Sequence, residues 1–439
     1  MNRARAYHLI LALLALSLIR CALFPIQPAA TSEAPAGGPI EPPSPPAGVE
    51  ATEPPGSAAP TESPFGPSIP HLDSGTVIVL TSIRMFDARS GWAVGGVDLA
   101  SDHVFFTLDG GNTWQDVTPP QPLPATAAPV SATAFFLDTR RAWVTYYPEG
   151  ERVTHLSLVW RTEDGGVSWQ AAPQVESVQT LDATFGPFLF LFADELHGWL
   201  ILSAGAGMGH HYVEVYGTED GGLSWERLID PNSDQAANIH YNPKSGLAFA
   251  DGQVGLMTFG GGAYLKPFIN WTRDGGRTWE QQELPAPMGE RTLFDESVCT
   301  TFSPTPFSAK DWLVAVDCAP LSSPGGEAHS LFIYRTPDGG TSWTDTLFLS
   351  MSALPPVSNS TSLFFLDRRV AWLLGRSIFL TTDGGDLWTK LKTVTWDGQF
   401  SFVTEELGWA IAHMDTALAL VRTENSGRTW LDVHPVVGP

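Results

Sequence analysis

One octapeptide, present in seven copies, constrains the fold of this 439-residue chain more than any other feature. The first copy is Thr107-Leu108-Asp109-Gly110-Gly111-Asn112-Thr113-Trp114. Further copies begin at Thr162, Thr218, Thr272, Thr336, Thr381 and Thr423 and end on Trp169, Trp225, Trp279, Trp343, Trp388 and Trp430. The intervals of about 42 to 64 residues match a four-stranded blade, and self-similarity at such a period marks a repeat architecture.

The octapeptide reads as a hairpin turn. Its Asp accepts hydrogen bonds from nearby backbone N–H groups and the Thr hydroxyl, its two Gly residues take positive φ, and its Trp returns into the sheet core. Asp109, Asp164, Asp220, Asp274, Asp338 and Asp383 are assigned this structural role. The seventh copy, Asn425-Ser426-Gly427, keeps the acceptor oxygen in Asn425, and the sixth carries Leu387 in place of Thr or Ser.

A second element precedes each turn, a small residue followed by Trp: Gly91-Trp92, Ala142-Trp143, Gly198-Trp199, Ala371-Trp372 and Gly408-Trp409, with Gly255-Leu256 and Asp311-Trp312 as variants. Five residues before the Trp an Asp recurs at Asp87, Asp138, Asp194 and Asp367, usually behind aromatics such as Phe135-Phe136. Each unit then reads as strand A ending in the aromatic run, strand B opening on the Trp, strand C entering the octapeptide and strand D leaving it. The expected fold is all-β, a seven-bladed β-propeller of four-stranded antiparallel blades over residues 75–439. Sixteen Trp and 24 Phe supply the aromatic core such blades need.

Residues 22–74 read differently, as a Pro, Ala, Ser, Thr and Glu-rich tract without basic residues up to about Pro70, expected to be an extended linker. Ahead of it, Arg3 and Arg5 precede an apolar stretch from Tyr7 to Ile19, the pattern of a signal peptide over residues 1–21. Leu18-Ile19-Arg20-Cys21 resembles a lipobox, with Cys21 as the residue that would be acylated, although Arg20 stands where a small residue is usual. The alternative is an ordinary secretory signal cut nearer Ala29-Ala30. The chain is thus expected to be exported, as a cell-envelope lipoprotein or a secreted protein, touching membrane only through an N-terminal anchor.

Exported compartments permit disulfides, and Cys299 and Cys318 lie symmetrically about a strand-to-strand turn at Ser308 and Ala309. Two antiparallel strands joined there bring the pair opposite one another, which favours a structural disulfide over two buried thiols.

The octapeptide resembles the Asp-box, or bacterial-neuraminidase repeat, of sialidases, xyloglucan-cleaving glycosidases, sortilin-type receptors and the photosystem II assembly/stability factor family. The added Gly91-Trp92-Ala93-Val94-Gly95 element is most similar to the last of these. That resemblance implies a scaffold for docking protein; the family is described as using a basic patch, whereas this chain has five Lys and a formal charge of −23. The same charge argues against nucleic acid as a partner.

In an A-B-C-D meander the A–B and octapeptide turns share one face, and the longer B–C and D–A connections share the other, where binding groups are expected. Tyr146, Tyr147, His210, His211, Tyr212, Tyr264 and His329 stand in or beside those loops and are the candidate contacts. No metal is expected, because His210 and His211 are adjacent on a strand and point to opposite faces with no third ligand. No cofactor is implied, and the protein is expected to be a monomer. Arg84 invites comparison with the opening arginine of sialidases, but Met85-Phe86-Asp87 places it in the A–B repeat. No catalytic set emerges, so binding of a protein partner is the expected role. The alternative is a glycoside hydrolase or carbohydrate-binding propeller using carboxylates such as Glu149, Glu151, Glu214 or Glu327.

Overall fold

The computed structural model describes residues 68–122, 129–148, 158–173, 175, 187–207, 210–233, 239, 243–260, 266–322, 330–350, 362–414 and 417–439. Each repeat forms its own antiparallel sheet. In blade one the strands are Val79–Met85, Gly91–Gly96, His103–Thr107 and Thr113–Asp116. The six later blades open with Val130–Phe136, Pro187–Phe192, Lys244–Phe249, Ser297–Thr301, Ser362–Phe365 and Asp397–Phe402. In all seven the sheet order follows the chain, A-B-C-D, giving a seven-bladed β-propeller. A single helical turn, Leu293–Glu296, precedes strand A of blade five, and among the described residues no helix is long and apolar enough to cross a membrane.

The octapeptide turn is built from its own side chains. In the first copy Thr107 Oγ1 donates to Asp109 Oδ1 and accepts from Gly111 N, while Asp109 Oδ1 accepts from Thr113 N at 3.0 Å and Oδ2 from Thr113 Oγ1 at 2.7 Å. Asn425 reproduces this frame without charge, accepting from Thr429 N at 2.8 Å. Leu387 supplies only its N–H to Asp383, because it has no hydroxyl. Both turn glycines have positive φ in six copies; in the seventh Ser426 takes φ 64° ahead of Gly427.

A further bond, invisible in the sequence, joins the two turn types. The N–H of the first turn glycine donates to a carbonyl of the A–B turn in six blades, as from Gly110 to Arg89 at 2.8 Å, and in the seventh the N–H of Ser426 donates to Glu406 O at 2.9 Å. The A–B turn is itself held by an acceptor side chain. Asp87, Asp138, Asp194 and Asp367 fill this position, joined by Asp251 and by the hydroxyls of Ser308 and Thr404.

Blades are stapled to one another through the strand B tryptophans. Trp199 stacks on Phe249 of the next blade with ring centroids 3.4 Å apart, and its Nε1 donates to Gly275 O at 2.7 Å. Trp143 on Phe192 with Gly221 O, and Trp372 on Phe402 with Ser426 O, repeat the arrangement. Each indole therefore satisfies its apolar face and its one donor in the neighbouring repeat. Where blade four has Leu256 instead, Arg273 Nη2 donates to Gly339 O at 2.8 Å and Gln282 Nε2 to Gly340 O at 2.7 Å.

The ring closes between blades seven and one. Trp409 Nε1 reaches Gly110 O, and the inner-strand N–H groups of Ile83 and Met85 donate to the side chains of Gln399 and Ser401. The C-terminal strand Val436–Val437 then adds to blade one in parallel beside Thr113 and Trp114, and Val437 exchanges backbone bonds with Thr76 and Gly75. Residues 68–74, expected to belong to the linker, pack against this blade: Ile69 is buried and donates to Gln121 O, and Leu72 N donates to Asp116. Burial of Ile69 and these hydrogen bonds hold the end of the Pro-rich tract on the domain.

Candidate binding face

On the octapeptide side every first turn glycine and every A–B acceptor side chain is engaged within its own blade, so this side is a hydrogen-bonded frame. Its six carboxylates are held below the usual carboxylate range. At Asp164 the cause is the Ser168 hydroxyl and then the Ser168 N–H; at Asp220 burial opposes the shift but is outweighed by bonds from Ser224 and Thr218.

The opposite side is uneven. Strands B and C of blade three, Gly198–Gly207 and His210–Thr218, have ten and nine residues, against four and five for Ala371–Leu374 and Ser377–Thr381 of blade six. Among the described residues, positions 198–202 of the long strand B pair with strand A, and Ser203, Gly205, Ala206 and Gly207 pair with strand C. With His210–Val213 these residues form a two-stranded ribbon, with a register shift between Ser203 and Gly205. Blade five is also tall, with nine-residue Trp312–Pro320 against Ser297–Thr301. There Cys299 and Cys318 face each other in register and are joined by a disulfide.

The ribbon divides its side chains by strand alternation. His210 and Tyr212 lie on one side with nearly parallel rings 5.9 Å apart, Tyr212 being 40% exposed. His211 faces the other way and is buried, its Nε2 hydrogen-bonded with Ser203 Oγ at 3.0 Å. Its carbonyl accepts from the Lys244 ammonium of blade four, and burial pulls the Lys244 pKa well below its ordinary value. The ribbon is thus anchored through its backbone to blade four.

Two expected contacts are corrected by this geometry. Tyr146 has no exposed surface: it packs between blades one and two with Trp92 and Trp160, and its Oη has no hydrogen-bond partner among the described residues. Burial raises its pKa, followed by the negative charges of Asp116 and Asp102. His211 is likewise interior. Tyr146 lies where the neighbouring blade covers its strand, and His211 is turned by strand alternation to the side away from Tyr212. Tyr147 is part-buried. Tyr264, His329 and Cys21 lie outside the described residues, as do Glu149, Glu151 and Glu327. Glu214 is fully buried and accepts from Tyr216 Oη at 2.6 Å, which removes it as a groove carboxylate. Among the described residues no cluster of three or more His, Cys, Asp or Glu could hold a metal.

Sequence reasoning missed a polar cluster at the edge of blade one. His103 is buried, with Nδ1 2.7 Å from Asp102 Oδ1 and Nε2 3.1 Å from Pro70 O. Burial lowers its pKa, but the bond to Asp102 and the charges of Asp116 and Asp102 outweigh it and raise the value overall. Both nitrogens face acceptors, as an imidazolium requires, and the cluster holds the incoming segment at Pro70.

Fold and site together define a rigid seven-bladed β-propeller with one hydrogen-bonded face and one irregular face. No protein-family model and no curated protein matches the chain. Among solved structures it is similar to YCF48 bound to D1 peptide, at 18% identity over 82% of this chain and 98% of that one, with a TM-score of 0.47. YCF48 from Cyanidioschyzon merolae follows at 16% identity, 82% and 99% coverage, and a TM-score of 0.45. The Niastella koreensis GH74 enzyme is similar at 12% identity, with 82% of this chain and 62% of that chain covered and a TM-score of 0.31.

Proposed function

We propose that this protein is an exported, N-terminally tethered propeller that binds a protein partner on its irregular face, without catalysis. The observation that carries the reading is the ribbon of blade three. A stacked His210–Tyr212 pair lies on a backbone anchored by Lys244, and rigid aromatics with a polar tip are favoured contact residues at protein interfaces. The stapled rim of blade five adds a second raised wall. The tether rests on the sequence pattern of residues 1–21.

The test is capture by crosslinking from an envelope extract of the source cell, using purified full-length protein and Tyr212→Ala. One protein captured by the parent and lost from a variant with an unchanged unfolding transition supports the reading. Release of sugar from xyloglucan or arabinan by the parent overturns it in favour of a glycoside hydrolase, and capture that ignores Tyr212 removes the ribbon from the interface.

A further inference from the structure

A neutral imidazole carries one N–H and one acceptor nitrogen, so it satisfies two hydrogen-bond acceptors only after gaining a proton. His103 faces that demand. It opens strand C of blade one and is buried, with Asp102 Oδ1 2.7 Å from Nδ1 and Pro70 O 3.1 Å from Nε2. From strand D, the buried Asp116 carboxylate stands 3.7 Å from Nε2. From strand B of blade two, buried Tyr146 lies in the field of both carboxylates; burial and then those charges keep its hydroxyl protonated. A neutral His103 would set a lone pair against Asp102 or against the Pro70 carbonyl, in a site nearly closed to solvent.

What the ring holds is a segment that comes from outside the repeats. Ile69 N donates to Gln121 O at 3.0 Å, and its side chain is buried in the apolar cluster of Trp92, Val104, Val117 and Trp160 between blades one and two. Leu72 N donates at 2.9 Å to Asp116 Oδ2, whose partner oxygen accepts from Thr118 N and Oγ1. Asp116 is thereby shared between the segment, its own strand and the charge of His103. The segment's own titratable side chains are Asp73, which is exposed, and His71, whose Nε2 meets Thr118 O at 2.9 Å in a bond that a neutral ring can make. Only the contact to Pro70, made together with the contact to Asp102, requires a doubly protonated ring.

We propose that residues 68–72 form a pH-operated strap, seated on blade one while His103 is an imidazolium and loosened once it is neutral. Burial disfavours the charged ring, but the bond to Asp102 and the charges of Asp116 and Asp102 outweigh it, so the folded pKa stands above the ordinary histidine value. The contribution is therefore complete below about pH 6.5 and is lost as pH rises through the higher folded value. Loosening lifts Ile69 from the cleft between blades one and two and frees at most about 17 Å of extended chain ahead of the propeller. The strap lies on blade one and does not depend on partner docking at blade three.

The experiment is hydrogen exchange with mass spectrometry on the full-length protein from about pH 6 to about pH 8.5, expressed as protection factors so that the intrinsic rise of exchange with pH cancels. Across that range, peptides covering 68–76 should lose roughly 10- to 100-fold in protection relative to strand B of blade one at 91–96, the worth of a hydrogen bond to a charged group. His103→Gln should flatten this profile, and Asp102→Asn should move its midpoint to lower pH by removing a charge that favours the imidazolium. His71→Asn should leave the profile unchanged. Protection of 68–76 that follows strand B throughout overturns the proposal, as does a parent-like profile in His103→Gln or an unmoved midpoint in Asp102→Asn. A profile flattened by His71→Asn overturns the assignment to His103. The parent and His71→Asn profiles decide the matter even where a change in the buried cluster prevents folding.

Discussion

Trp199 offers the sharpest test of how the blades hold together. It is buried, stacked on Phe249 at 3.4 Å, and donates from Nε1 to Gly275 O at 2.7 Å across the interface between blades three and four. Trp199→Phe keeps a ring for the stack but removes the donor, at a cost of about 1–3 kcal/mol if the carbonyl is left buried without that partner. Trp199→Ala removes the ring as well and opens a cavity, for a total of about 3–5 kcal/mol. The ordering therefore separates the hydrogen bond from the stack. The interface between blades four and five supports this reasoning, because there the missing indole donor is replaced by Arg273 and Gln282. Equilibrium urea unfolding followed by circular dichroism measures both variants against the parent. A loss below about 0.5 kcal/mol for Trp199→Phe would refute the hydrogen-bonded staple, since that is the floor for a typical intramolecular bond. Equal losses for the two variants would instead show that a phenyl ring cannot hold the stack.

Three further outcomes are expected. The six turn aspartates have folded pKa values below the unfolded carboxylate value of about 3.9, so their stabilisation is complete above about pH 4 and is lost as pH falls through the folded values; urea midpoints that stay constant from about pH 5 to about pH 2.5 would contradict this. Ser426→Gly should raise stability by roughly 0.5–1 kcal/mol, because φ 64° strains a residue with a Cβ and suits glycine, and a lower urea midpoint for the variant would count against the strain. Replacing both Cys299 and Cys318 by Ser should cost about 3 kcal/mol, the entropy of releasing a closure between residues 19 apart, measurable as the difference in unfolding free energy under oxidising conditions.

The fold was legible because its information is local and repeated. A Thr-x-Asp-Gly-Gly turn needs only its own hydroxyl, carboxylate and two positive-φ glycines, so seven copies specify seven hairpins before any partner is considered. The same local logic placed the two turn types on one face. It did not foresee that residues 203–207 and 210–212, expected as an irregular loop, continue strands B and C of blade three.

What stayed hidden depends on residues a full repeat or the whole ring apart. The Trp199 N–H and the Gly275 carbonyl are separated by 76 positions, and Gln399 meets Ile83 across 316. Tyr146 beside a loop looks exposed in sequence, yet the neighbouring blade covers it. The sequence by itself determined the turns, the strand order and the blade count, because those follow from contacts within a few residues. The tertiary structure decided which side chains are buried, stapled or left unpaired, because that depends on which repeat packs against which.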